Sequence, residues 1–398
     1  MYNKTYGRQS SHRLLPASMK EDNMAKINSV TEIKKQNRAI IFKYILENDV
    51  VSRQDIAKDL GYSMPTVFSN VTELLEAGYL CEVGAYGSTG GRKAKMVSVA
   101  RNVKQMVGID ITKRHVRFAM LDLSGDMLAE DIQRLLYKDN YEYYKAIGVM
   151  LEGFLDRNSV DRKKLIGVGI SIPGILNAER TIISKSHVLG VEGLSLSNFY
   201  RHINYPTVFD NDANCAAFAE VDRRNKSTVY FSLSNTVGGA IYYDGKLCTG
   251  NLSKSGEIGH MIIHPGGKRC YCGKEGCLDA YCSALSLLDD PYDHLESFFD
   301  KLENGNAEAE KRWDTYLEDL AIAVTNIRMI LDCDIILGGY VGGYVEQYIS
   351  KFAKKTRKYN NFDTDTSYFT TGNYKRLSSA IGAAQMVRED FIDNMDLS

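Results

Sequence analysis

One imidazole and three thiols stand at metal-ligand spacing in this chain. His260 closes the run Gly256-Glu257-Ile258-Gly259-His260, and Cys270, Cys272 and Cys277 follow in Cys-Tyr-Cys-Gly-Lys-Glu-Gly-Cys. Soft thiolates joined by one imidazole suit a tetrahedral Cys3His zinc, and the intervening glycines permit the tight turns that bring sulfurs together. A four-ligand shell leaves no open position, so such a zinc is structural: it orders the loop carrying Glu257 and Asp279 and does not activate water. The alternative is ordinary buried or disulfide-forming cysteines.

A chain of 398 residues is too long for one ordinary core and implies two to four domains. With 44% apolar and 25% charged residues it has the composition of a soluble globular protein. No apolar run approaches the ~18 residues that a membrane helix needs, and residues 1–24 lack a hydrophobic signal core, so no membrane partner and a cytoplasmic location are expected. The eight cysteines are sparse, and Cys81, Cys215, Cys248, Cys282 and Cys333 read as small buried apolar residues. Net charge is −1 but unevenly spread. Residues 1–100 hold 14 Lys and Arg against 10 Asp and Glu, a net of +4, which leaves 35 against 40, or −5, for the rest. A polyanion partner is therefore sought in the first quarter.

That quarter reads as helices from Thr31, where Ile33, Ala39, Ile40, Phe42, Ile45 and Leu46 recur at helical spacing. Ser52 is placed to cap a short helix through Leu60, with Asp55 completing an acidic variant of the capping box, and Gly61 breaks it. Ser63 caps the next helix, Pro65 fits its first turn, and Val67, Val71, Leu74 and Leu75 form its buried stripe before Ala77-Gly78. A short helix, a glycine turn and a longer helix make a helix-turn-helix, whose second helix enters the major groove of DNA. Met64, Thr66, Phe68, Ser69, Asn70 and Thr72 are then the candidate DNA-contacting positions. A hairpin from Tyr79 to Val99 follows, and its Gly-rich loop carries Arg92 and Lys93 as a wing suited to the sugar-phosphate backbone or minor groove. A three-helix protein-interaction module with a solvated basic loop is the competing reading.

Beyond Arg101 strands and helices alternate. Val107–Ile111, Val116–Leu121 and Leu165–Ile172 read as strands, the last ending at Pro173-Gly174; Val208-Phe209 runs into Asp210-Asn211-Asp212 and a helix over Ala213–Glu220. A second series holds Val229–Leu233, Ala240–Tyr243, the cysteine loop, a helix over Ala321–Leu331 and Asp334–Leu337 before Gly338-Gly339. Residues 285–320 look helical and acidic. Two successive α/β units imply two lobes and a cleft.

The winged helix, Pro173-Gly174, Asn211-Asp212-Ala213-Asn214, Gly256–His260 and Cys270–Cys277 together resemble the ROK family of repressors and sugar kinases, in particular its transcriptional repressors, over roughly Thr31 to Arg388. The resemblance implies two actin-like (RNase H-like) α/β lobes behind the winged helix-turn-helix. It implies that Asp212 matches the kinase general base, that Asn211 and Glu257 contact sugar together with Gly174, and that His260 both ligates zinc and lies near sugar with Cys270, Cys272 and Cys277 as the other ligands. Carboxylates and a carboxamide converging on a cleft can bind the paired hydroxyls of a pyranose, and Asp212 can also act as a helix cap. The expected organisation is a flexible segment 1–30, a DNA-binding domain 31–100, a first lobe 101–225, a second lobe 226–376 with the zinc loop, and a carboxyl-terminal helix 377–392 packed back on the first lobe.

Departures from the family pattern decide between enzyme and sensor. Family kinases carry Asp-x-Gly-x-Thr-Lys after the first strand, where glycines let backbone amides approach phosphate. Here Asp110-Ile111-Thr112-Lys113-Arg114-His115 has none, and Tyr340 follows Gly338-Gly339 where a further glycine is usual. Asp279 stands where the family has Glu, which withdraws a sugar-facing carboxylate by about 1.5 Å. The expectation is a repressor of carbohydrate genes without kinase activity, Asp212 being a vestigial base. It binds operator DNA as a homodimer or homotetramer and responds to a sugar or sugar phosphate. An ATP-dependent sugar kinase with an appended DNA-binding domain, and a module relieved by a membrane or phosphotransfer protein, are the alternatives.

Overall fold

The computed structural model describes residues 30–85, 95–223, 227–290, 294–363, 365–395 and residue 397. Contacts divide the chain into two compact units, one of residues 1–98 with 393–398 and one of 99–392.

In the first unit, helix α1 (Val30–Asn48) precedes strand β1 (Val51–Ser52), α2 (Arg53–Leu60) and α3 (Met64–Glu76), and then strands β2 (Leu80–Ala85) and β3 (Lys95–Val99). The local signals in the sequence act as expected. Ser52 accepts from the Asp55 amide while the Asp55 carboxylate accepts from the Ser52 amide, Gly61 ends α2 in the left-handed region at φ 67°, and Ser63 caps α3. The apolar stripe of α1 differs from the expected one at Ile33, Ile40 and Ile41. Ile41 is fully buried with Phe42 and Ile45, whereas Ile33 and Ile40 are exposed, so the buried face of α1 runs through Ala39, Phe42 and Ile45 and carries Ile40 outward. Strand order is β1-β3-β2, with Val51 opposite Val97. The carboxyl-terminal segment belongs here too: Arg38 donates to the Met395 carbonyl and Lys43 pairs with Asp393 at 2.6 Å.

The second unit contains two five-stranded sheets of the same plan. The first holds β4 (Gln105–Ile111), β5 (His115–Asp122), β6 (Met127–Arg134), β7 (Leu165–Ile172) and β11 (Thr207–Asn211) in the order β11-β7-β4-β5-β6; between them come α4 (Tyr141–Arg157) and a small antiparallel sheet of β8 (Ile175–Leu176), β9 (Ile182–Ser186) and β10 (Val191–Ser195). The short α5 (Ser197–Tyr200) precedes β11, and α6 (Asp212–Glu220) follows it. The second sheet, ordered β14-β13-β12-β15-β16, holds β12 (Ser227–Leu233), β13 (Val237–Tyr243), β14 (Lys246–Leu247), β15 (Asp334–Gly338) and β16 (Phe369–Thr371). In each, a central strand pairs antiparallel with the next strand in sequence and parallel with a later one. Helix α7 (Asp279–Cys282), α8 (Leu295–Glu303) and the 25-residue α9 (Ala307–Leu331) cover the second sheet, with Trp313 and Leu317 fully buried. That helix begins well before the Ala321 read from sequence, since its acidic first turns face solvent.

After α10 (Gly339–Val345) and α11 (Ile349–Thr356), helix α12 (Ser378–Asp393) returns to the first sheet. Gly108 on β4 and Gly169 on β7 lie so close under it that a Cβ at either would overlap the carbonyl oxygen of Ala380 or Ala383. Backbone-to-backbone packing of this kind needs the small residues Ala380, Ala383 and Ala384, all buried. Among the described residues no helix is long and apolar enough to cross a membrane.

Candidate functional site

The parallel strands β4, β7, β11, β12 and β15 direct their carboxyl ends to the space between the two sheets, which is where ligands bind in open α/β folds. At the end of β11, Asn211 caps α6. Its side-chain oxygen accepts from the Ala213 and Asn214 amides, and its Nδ2 donates to the Gly174 carbonyl at 3.0 Å. Gly174 sits at φ 144°, and a Cβ there would stand 2.9 Å from the Lys185 carbonyl and the Ser186 Cβ, so the turn after β7 admits only glycine without movement.

Asp212, the first residue of α6, is half-buried. Burial, then the nearby Asp110 and Glu257 carboxylates, hold its pKa near 7, up to about 7 from 3.8. Burial also raises Glu257, against the pull of His187 and Lys254. Gly174, Asn211, Asp212, Glu257 and His260 border one pocket of about 80 Å³, together with His187 and Tyr271. His187, in the turn after β9, has no motif around it and escapes sequence reading; its ring lies edge-on to Tyr271 at 5.9 Å. Asp279 is placed differently. It borders an adjoining cavity of about 510 Å³, and its carboxylate accepts the Val237 amide at 2.6 Å, so it braces the turn between β12 and β13. Burial raises its pKa to about 6.

The metal-ligand residues converge. The ligand atoms of His260, Cys270, Cys272 and Cys277 all lie within 4.8 Å of one another, with 3.8 Å between the Cys272 and Cys277 sulfurs and 3.9 Å between the Cys270 sulfur and His260 Nδ1. Two sulfurs bound tetrahedrally at ~2.3 Å from one zinc stand about 3.8 Å apart, so the donor set and its spacing fit that ion, and they exceed the ~2.05 Å of a disulfide. Gly273 and Gly276, at φ 90° and 83°, make the turns that fold the sulfurs inward. With Nδ1 toward the sulfurs, His260 turns Nε2 to Tyr271 Oη (3.4 Å) and the Glu257 carboxylate (3.9 Å), which joins the cysteine loop to the small pocket.

The other end of the large cavity is built from a buried ion pair. Arg117 on β5 donates to Asp110 at 2.8 Å, Ser171 donates to the other Asp110 oxygen at 2.9 Å, and the Arg117 guanidinium lies 5.0 Å from the Tyr340 ring centre. Thr112 closes the following turn on His115. Each Asp110 oxygen thereby has a partner within the protein, and Tyr340 stacks on the Arg117 guanidinium.

In the amino-terminal unit, Met64, Phe68 and Ser69 are exposed on α3, while Thr66 and Thr72 are half-buried. Asn70 does not reach the surface: it is 3% exposed and donates to the Thr66 carbonyl, since Val67, Asn70, Val71 and Leu74 share the inward face of α3. Arg53 at the start of α2 lies over the Phe68 ring at 5.4 Å. Arg92 and Lys93 fall outside the described residues.

The geometry has counterparts. The xylose repressor of Bacillus subtilis (strain 168) is 29% identical over 263 residues, 65% of this chain and 68% of that protein. The DNA-binding transcriptional repressor Mlc of Escherichia coli (strain K12) is 26% identical over 267 residues, 65% of this chain and 66% of that protein. Among solved structures, a ROK family transcriptional regulator, a homologue of the E. coli MLC protein, superposes with a TM-score of 0.74 over 92% of this chain and 99% of its own, at 19% identity. A ROK family glucokinase from Streptomyces griseus, in complex with glucose and AMPPNP, covers 72% of this chain and 99% of its own, with a TM-score of 0.64 at 19% identity. These likenesses show the fold: a helical amino-terminal unit that fits a helix-turn-helix, before an α/β body whose sheets match those of ROK regulators and actin-like sugar kinases. The profile of the ROK family matches residues 106–390, well over half the chain, and the chain belongs to that family.

Proposed function

We propose that this protein is a transcriptional repressor of carbohydrate genes, in which the helix-turn-helix binds operator DNA and a sugar in the cleft changes its affinity. The single observation that carries this reading is the Asp110–Arg117 pair at 2.8 Å under Tyr340, in a chain that also has a helix-turn-helix. A phosphoryl-transfer site must leave its acidic residue free for a metal-nucleotide complex, with backbone amides open to phosphate. Here the aspartate is consumed by an arginine, and Thr112, Lys113 and Arg114 replace the glycine turn. Asn211, Asp212, Glu257 and His260 remain around the small pocket that adjoins the larger cavity. The relatives named as repressors support the same reading.

Asp212 and Glu257 bind sugar hydroxyls in this scheme, Asn211 holds the Gly174 turn against the ring, and Asp279 braces the second turn. A zinc held by His260, Cys270, Cys272 and Cys277 supplies structural order to the loop and fixes the imidazole, whose Nε2 faces Glu257. The protein acts as a homodimer or homotetramer, as two-fold operators require. Fluorescence anisotropy of labelled DNA from upstream of its own gene, titrated with protein and a panel of free and phosphorylated sugars, tests the reading. Specific binding altered by one sugar supports it; specific binding altered by none defeats the sugar switch.

A sugar kinase with an appended DNA-binding domain is favoured by Asp212 alone, whose pKa of about 7 suits a general base. Sugar-dependent ADP release that disappears in Asp212→Asn would establish that activity.

A further inference from the structure

Helix α3 carries two glutamates, Glu73 and Glu76, and no lysine or arginine. Most of its polar side chains are already engaged within the protein, and Thr72 is half-buried. The Ser63 and Thr66 hydroxyls bond each other at 2.8 Å, Ser69 donates to Glu73 at 3.1 Å, and Asn70 is buried with its amide on the Thr66 carbonyl. Glu73 is itself held by Lys34 and Arg38. The large side chains that the first two turns of α3 present outward are apolar: Phe68, 58% exposed, and Met64, 45% exposed, with the Arg53 guanidinium 5.4 Å from the Phe68 ring centre; Ser69 and, at the carboxyl end, Glu76 are exposed polar residues.

We propose that α3 reads DNA through thymine methyl groups, with Phe68 as the specificity-determining residue and Met64 beside it. The inference rests on the DNA-binding reading above. In the major groove guanine is read by arginine or lysine and adenine by asparagine or glutamine, and none of these is available on the outer face of this helix. The C5-methyl of thymine is the one apolar feature that a base edge offers there, and an aromatic edge backed by a guanidinium matches it. Arg53, at the start of α2, then lies beside the phosphates that flank the thymine. The exposed phenylalanine is otherwise unfavourable on a solvent-facing helix, since apolar area left in water forgoes the stabilisation of burial.

The test uses the full chain and a duplex recovered from a random-sequence pool by selection on the protein. Each thymine is replaced in turn by uracil, which removes only the methyl, and affinities are measured by anisotropy for wild type and Phe68→Ala. At one or two positions in each half-site the wild type should bind the uracil duplex about fourfold more weakly, the worth of one buried methyl-sized group. Phe68→Ala should bind thymine and uracil duplexes equally. At the same positions a 5-methylcytosine·guanine pair should bind better than unmethylated cytosine·guanine. Uracil duplexes bound as tightly as thymine duplexes by the wild type at every position would overturn the inference while leaving DNA binding intact, and so would a uracil penalty that persists in Phe68→Ala. Failure to recover any preferred sequence would overturn the DNA-binding reading, and this inference with it.

Discussion

Asp212 sits where burial and two neighbouring carboxylates act together on one group. An unfolded aspartate titrates at 3.8, whereas here the proton is held until about pH 7. Below pH 3.8 both states are protonated and the folded protein has its full stability from this group. Between 3.8 and 7 the unfolded chain releases the proton while the folded protein retains it, so stability falls as pH rises and the contribution is lost above about 7. Asp212→Asn does not titrate. Its stability relative to wild type should therefore rise by about 3 kcal/mol between pH 5 and pH 8, read from urea midpoints at the two values. An equal difference at both would mean that the carboxyl is ionised throughout. Single residues were legible in the sequence where chemistry fixes spacing: the four metal-ligand side chains and the Asn211-Asp212 pair meet as their spacing requires. Arg117 and His187 were not, because His187 reaches the cleft from a turn without a motif and Arg117 lies on a strand where only tertiary packing assigns it to Asp110.

Elements show a different division. Capping residues act within four positions, so Ser52, Asp55, Gly61 and Ser63 announce α2 and α3 directly, whereas a stripe such as Ile40 against Ile41 depends on which face a distant helix covers. The docking of α12 is of the second kind. Gly108 and Gly169 read as ordinary strand glycines until the Ala380 and Ala383 carbonyls are found above them. Gly108→Ala should force the helix away and lower stability by about 1–3 kcal/mol in urea unfolding, as overpacking a tight contact does. An unchanged midpoint would mean that α12 can slide at no cost. The cysteine loop gives a second prediction at this scale. With one thiolate replaced, Cys272→Ser should lose bound zinc, measured by elemental analysis, and lower the unfolding temperature, since metal affinity is folding energy for such a loop. A variant with full stability and no metal would remove the structural role.

At the scale of the molecule the chain passes between its two units twice, at Ser98–Val99 and again at Ile392–Asp393. The second passage was invisible in the sequence, where residues beyond Asp390 carry no pattern. Asp393 pairs with Lys43 and the Met395 carbonyl receives Arg38, so α12, whose body lies on the first sheet of the larger unit, ends in a segment anchored in the amino-terminal unit. A sugar that alters the first sheet then has a covalent route to the helix-turn-helix besides the Ser98 connection. If it changes DNA affinity by some factor, DNA must change sugar affinity by the same factor. Titration calorimetry of the sugar with and without operator, beside anisotropy of operator with and without sugar, should return one number. Truncation after Ile392 should leave sugar affinity of the free protein unchanged and draw both factors toward one together. A truncated protein with the full factor would place the coupling in the Ser98 connection alone, and two unequal factors in the intact protein would mean that sugar and DNA do not act on a shared equilibrium.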